Sequence, residues 1–485
     1  MIIVMKKLVM LGAFPAFFFM PARAATTVTA KGASVTTTAA QAVTTPVTAA
    51  PVAVLEPTPK TVSKEVQFAQ DLSDTLSVGT IDDALAMFDS LPDATLTGEL
   101  QTVKAALLLS AGRSDEASVL AKDLLAKNPN DLDVLQLNVM LAKQRGDAST
   151  KSTLLKQILA IDPNNADANI ELGDEQALKR RYRDARSYFQ KALLSEPNNA
   201  AAIFGYGKMS YYLERDSDAR KSFERLLALN PSDAQALSYL GKLEGEAKRY
   251  RKALEYVNRA LELEPENATY CLDKGTYSRY IGKLSDAEVA WKQAVEYDPD
   301  YFLGYAYLAG LYEEQERVRE AMAMYRKVVE KNPQYYYAYE SIGILSWHEG
   351  NWKNARIAFE KAYAAKKDDV SYALMIAACY WKEGNMAQMK KYTESVMKGM
   401  NRNNIEYWVV RMYHDQGGDG EVLTRISKEK IQNTRNKMLF YAALYYDLRG
   451  NANLAQKYYV EVANMQGPTI FEYRLAQWKL NGTAK

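Results

Sequence analysis

Large apolar, small and polar positions return along this 485-residue chain with a period of 34. Frames of that length begin at Gly98, Leu132, Ala166, Ala200, Ala234, Ala268, Phe302 and Tyr336. Position 8 is small at Gly173, Gly207, Gly241, Gly275, Ala309 and Gly343. Position 20 is alanine at Ala117, Ala185, Ala219, Ala253, Ala287, Ala321 and Ala355. Position 24 is large at Phe189, Phe223, Val257, Trp291, Tyr325 and Phe359. Position 32 is proline seven times running, at Pro129, Pro163, Pro197, Pro231, Pro265, Pro299 and Pro333. The pattern predicts one helix hairpin copied many times. Small residues at 8 and 20 let two antiparallel helices approach closely, and the bulky residue at 24 fills the space between hairpins. Proline at 32 cannot continue the second helix, and it suits the turn into the next one.

Departures from the period mark the ends. Lys151 stands where position 20 is otherwise small, which predicts looser packing in the repeat from Leu132. The frame from Val370 keeps Tyr380 and Gly384 but has Met389 at position 20, and Lys367 replaces the proline before it. Asn401 to Ile431 reads as a weaker helix pair around the Gly417-Gly418-Asp419-Gly420 turn. The frame returns at Asn436 with Ala443, Ala455 and Tyr459, and Thr469 to Leu480 reads as an amphipathic capping helix. Glu65 to Leu91, with Gly79, Ala84 and Phe88, is a degenerate opening pair. The fold class expected is all-α: a right-handed superhelical solenoid of about twelve antiparallel helix pairs with a C-terminal capping helix. A regular array spans 65–367 and divergent repeats span 368–485.

These residues resemble the tetratricopeptide repeat (TPR) family. Its pattern of small residues at 8 and 20, Ala at 27 and Pro at 32 is met by Gly173, Ala185, Ala192 and Pro197, and again by Gly275, Ala287, Ala294 and Pro299. The resemblance implies a non-catalytic scaffold that binds on the face lined by first helices. Some relatives grip a carboxyl-terminal peptide with Lys at position 5 and Asn at position 9. Here position 5 reads Ile170, Phe204, Ser238, Leu272, Ala306 and Glu340, so that clamp is missing. The closing stretch, Leu439-Phe440-Tyr441 through Phe471-Glu472-Tyr473-Arg474, is similar to the end of periplasmic TPR adaptors that dock cell-wall hydrolases and proteases.

The N-terminus changes the picture of where this array works. Lys6 and Lys7 precede an apolar run from Leu8 to Met20, followed by Ala22-Arg23-Ala24. That is the order of a secretory signal peptide, residues 1–24, cleaved before Ala25. The alternative is an uncleaved anchor, which the short run and Pro15 disfavour. Met5 offers a second start with a more conventional basic region. Residues 25–64 contain almost only Ala, Thr, Val and Pro and predict a disordered tether. The expected location is periplasmic, soluble after cleavage, with no transmembrane segment. The 61 basic and 59 acidic side chains nearly cancel, so no field exists to hold nucleic acid.

Chemistry finds little foothold. The two histidines, His348 and His414, lie in different repeats, and no His-Glu-x-x-His pattern occurs. The expectation is no catalytic residue, no metal and no cofactor. Cys271 and Cys379 sit about three repeats apart, too far for a disulfide when packed helices are roughly 10 Å apart.

Candidate residues therefore come from the groove. Positions 2, 5, 9 and 12 of each first helix share its inner face. They supply Phe204, Lys208, Tyr211, Lys242, Arg279, Glu313, Tyr337, Glu340, Trp347 and Trp381. Aromatic rings beside isolated charges suit a peptide or glycan surface. Two readings follow. One is an adaptor for protein partners of the cell envelope, of unknown identity and oligomeric state. The other is a carrier of a glycan, lipid or small molecule in the groove.

Overall fold

The computed structural model describes residues 64–91, 96–465 and 470–482. The signal peptide and all but the last residue of the expected tether lie outside them. Twenty-five α-helices and no strand occur among the described residues. They form twelve successive pairs, from Lys64–Val78 with Ile81–Asp89 to Gln432–Leu448 with Ala452–Ala463, followed by a last helix, Phe471–Asn481. Two compact bodies divide the chain, one ending at Leu213 and the other beginning at Glu214.

Local chemistry fixes each repeat's boundaries. First helices begin at Leu132, Ala166, Ala200, Ala234, Ala268, Phe302, Tyr336 and Val370, each one residue after position 34. Asp131, Asn165, Asn199, Asp233, Asn267 and Asp369 stand at that position and accept hydrogen bonds from first-turn N–H groups, satisfying donors the helix cannot. Position 15 closes the first helix in the left-handed conformation. Glycine serves there at Gly112, Gly146, Gly282, Gly350 and Gly384, but Arg180, Glu214, Lys248 and Glu316 adopt φ near +57° as well. The next N–H then reaches back five residues, as in Arg249 N to Glu244 O at 2.8 Å and Lys283 N to Ser278 O at 2.9 Å. The bond holds the turn whichever residue is present, so the four non-glycine residues carry backbone strain.

Packing between helices follows from position 24. In the first body Phe189 lies between two glycines, where added Cβ atoms would meet its ring at 3.0 Å (Gly173) and 2.4 Å (Gly205). In the second body the same holds for Gly275 against Trp291, 2.4 Å, and Gly343 against Phe359, 2.7 Å. The Trp291 indole donates to Leu272 O at 3.1 Å, so the ring buries its surface without an orphaned donor. Tyr239 stacks on Phe223 at 4.9 Å and Tyr307 on Trp291 at 5.3 Å. Both tyrosines occupy position 6 of the following repeat, so the buried ring of one repeat is the floor beneath the next repeat's inner face.

Lys151 does not stand unpaired at position 20. Its Nζ lies 3.1 Å from Glu171 Oε2, and Lys143 binds the other oxygen. Cys271 and Cys379 are both free and buried.

The strain at position 15 gives a direct check. Lys248→Gly is expected to raise stability by about 1 kcal/mol, and Gly282→Ala to lower it by about as much. Urea unfolding followed by circular dichroism reads both; equal midpoints for the two variants would contradict the strain.

Candidate functional site

In the first body, Phe204, Lys208 and Tyr211 share the helix Ala200–Tyr212 and are half-buried. Lys208 Nζ stands 5.9 Å over the Phe204 ring, and Tyr211 meets Tyr212 edge-on at 5.6 Å. Lys208 also acts on Asp174 of the preceding repeat. Burial and the Glu171 charge raise that carboxyl above its ordinary value, and Lys143, Lys208 and Lys151 pull it back.

The second body carries the remaining candidates in two stretches. Upstream, Lys242 Nζ lies 5.3 Å from the Tyr239 ring and 3.8 Å from Asp273 Oδ2. That contact is too long for a hydrogen bond, and Asp273 Oδ2 is buried with no partner. Burial pushes the Asp273 carboxyl up to about 6, against the weaker pull of Lys242. Tyr301 and Tyr307 both feel the Asp273 charge, and Tyr307 also feels Tyr335. Tyr335 touches Phe302 at 5.3 Å and Tyr337 at 5.7 Å. Tyr337 stacks on Tyr336 at 4.1 Å and stays 53% exposed. Arg279 pairs with Glu314 at 2.7 Å in the open.

Two of these tyrosines replace capping residues. Tyr301 and Tyr335 stand at position 34, where other repeats have Asp or Asn, and neither caps its helix. Each forgoes about 1 kcal/mol of helix stability and adds a ring whose charge Tyr307 feels, and Tyr301 also feels that of Asp273. Reading positions 2, 5, 9 and 12 misses Asp273, Tyr301, Tyr307 and Tyr335. The interrupted Asp/Asn series at position 34 is the signal in the sequence that finds two of them.

Downstream, the inner face is already covered. The helix Phe471–Asn481 lies on first helices rather than capping the array at its end alone. Phe471 stacks with Tyr372 at 6.2 Å and Phe359 at 6.3 Å. The buried Glu472 accepts from the hydroxyls of Ser371 and Tyr441. Arg474 binds Glu313, a residue 161 positions earlier, which also accepts from the Tyr325 hydroxyl. The Trp478 ring lies 4.1 Å from His348 and 4.7 Å from the Arg474 guanidinium. Lys479 pairs with Asp447 at 3.0 Å.

The other downstream candidates meet other parts of the chain. Glu340 accepts from the Tyr372 hydroxyl, and burial raises its carboxyl. Trp347 meets Trp352 edge-on at 4.7 Å. Trp381 meets Tyr413 at 6.2 Å and Tyr445 at 5.8 Å. Both indoles are half-buried against their own chain.

Stacked helix hairpins with a ring-lined first-helix face define an all-α repeat protein of the protein-interaction class. Residues 211–268 and 309–370 match the family described as tetratricopeptide repeat, so the chain carries TPR units. Among solved structures, MamA is 23% identical, with 33% of this chain and 94% of that one covered and a TM-score of 0.30. A tetratricopeptide repeat protein from Parabacteroides merdae ATCC 43184 is 19% identical over 50% and 97%, TM-score 0.40. YrrB, a TPR protein with an unusual peptide-binding site, is 19% identical over 37% and 93%, TM-score 0.32. No curated protein matches the chain.

Asp273 provides a pH-dependent test. Its folded-state value of about 6 lies above that of an exposed carboxylate, so its ionisation opposes folding. The cost is absent at acid pH below the ordinary carboxylate range and complete above pH 6. Asp273→Asn is therefore expected to stabilise the protein by on the order of 2 kcal/mol at pH 7.5 and by clearly less at pH 4.5. Melting temperatures of both proteins at both pH values check this; an equal difference at the two pH values contradicts it.

Proposed function

We propose that this chain is a non-catalytic adaptor of the periplasm that holds envelope or cell-wall-assembly proteins on its first-helix face. The observation that carries this is the tyrosine-lined stretch around Asp273, where a buried carboxylate oxygen has no hydrogen-bond partner beside exposed rings. Rings supply contact area at low entropy cost, and the carboxylate orients a polar or cationic group. Lys242, Arg279 and Tyr337 border this stretch and contact the partner. Phe204, Lys208 and Tyr211 do so in the first body, and Glu313, Glu340, Trp347 and Trp381 line the downstream stretch. The signal-peptide pattern supports export, and no helix among the described residues is long and apolar enough to cross a membrane.

Affinity capture from envelope extracts tests the reading. The triple variant Lys242→Ala, Arg279→Ala, Tyr337→Ala is expected to lose at least about tenfold of partner recovery, as groove contacts each worth about 1 kcal/mol imply. Val289→Ala, on an exposed second-helix position, is expected to keep it. Recovery of the same partners by the triple variant contradicts the assignment. Tyrosine abundance, 33 in the chain, favours a second reading as a glycan or lipid carrier, for which a rise in melting temperature with such ligands is the mark.

A further inference from the structure

The seat of the helix Phe471–Asn481 is built unlike a permanent core. Phe471, Leu475, Ala476 and Trp478 anchor it through apolar contacts. Yet it also drives two charged side chains into the same place. Glu472 is fully buried, and one of its carboxylate oxygens has no hydrogen-bond partner. The Arg474 guanidinium keeps its Nε unpartnered while another nitrogen binds Glu313. Burial raises the Glu472 carboxyl and lowers Arg474 to about 10. A helix that only sealed the array would be better held by apolar residues of the same volume, because a buried ion pair seldom recovers the cost of desolvation. What such a pair supplies is selectivity for a matching charge in a matching register.

The geometry points to a helix-binding site at this seat, which the chain's own last helix fills as a stand-in and from which a partner's helix displaces it. The inference rests on the adaptor reading above and specifies the partner. The stand-in defines the chemistry: an amphipathic helix with an aromatic residue, an arginine three positions later and a second aromatic four positions after that. These match Phe471, Arg474 and Trp478. The first aromatic packs beside the Phe359 and Tyr372 rings, the arginine reaches Glu313, and the second aromatic lies on His348. The unpartnered polar atoms of Glu472 and Arg474 lower the cost of exchange.

A fluorescein-labelled peptide of residues 470–481 is the probe, read by fluorescence polarisation on the full-length protein. Arg474→Ala plus Trp478→Ala weakens the stand-in, and this variant is expected to bind the peptide at least about tenfold more tightly than the unaltered chain. Adding Glu313→Lys is expected to remove about tenfold or more of that affinity, and a peptide with Glu at the arginine position to restore it. No gain on weakening the stand-in, or indifference to Glu313→Lys, overturns the proposal. A concentration-dependent dimer of the unaltered chain that the peptide dissolves also overturns it, in favour of a second copy as occupant. Should the double variant not fold, hydrogen exchange on the unaltered chain decides. Phe471–Asn481 is expected to exchange at least about tenfold faster than Val370–Lys382 and Gln432–Leu448, since a displaceable helix opens before the core does. Equal protection overturns displacement. Failure here leaves the Lys242–Arg279–Tyr337 result untouched, so the two readings fail separately.

Discussion

The close approach between a position 24 ring and a residue with no side chain joins the helices at Phe189, Trp291 and Phe359. Trp291 against Gly275 and Phe359 against Gly343 leave no room for a Cβ. A fully buried ring contributes roughly 2–3 kcal/mol, and it is repeated along the array. Its other face underlies position 6 of the next repeat, so the same ring that joins helices also sets the height of the inner surface. Tyr239 and Tyr307 rest on such rings. Binding surface and core are here two sides of one contact.

Polar contacts then fix the offset between neighbours. Glu244 is buried, and although burial raises its carboxyl, Arg249, Arg220 and Lys252 hold it down at about 2. Arg317, with Lys292 and Tyr312, does the same for Glu288. In both, a second-helix residue of one repeat meets the first helix or turn of the next. Asp273 is the exception among these carboxylates. Its cation stands 3.8 Å away and does not compensate burial. A structural carboxylate is neutralised; one left poorly compensated in a ring-lined face marks a place for something else.

The period carried the fold to the residue. Helix starts from Leu132 to Val370 coincide with the frame because each has a capping Asp or Asn at position 34, a proline at position 32, or both, and both are local chemistry. The degenerate pairs at Lys64–Asp89 and Ile405–Lys428 were also legible, from spacing alone. The inner face was legible only in part. Position 6 looks unremarkable in an isolated hairpin and gains its role from the ring beneath it, which belongs to another repeat. The last helix was legible as an amphipathic segment, but its position was not. Its contacts join Arg474 to Glu313 and Glu472 to Ser371, across 161 and 101 residues, and no local pattern encodes such a distance.

The chain's own last helix covers part of the first-helix face, and in the proposal above a partner's helix takes its place. A photoreactive benzoylphenylalanine in place of Trp478 in the intact protein tests this most directly. Its crosslink is predicted to fall on the segment Phe302–His348, near His348 and Glu313. A crosslink confined to the adjoining Ala452–Ala463 helix, or none within the chain, would contradict the account.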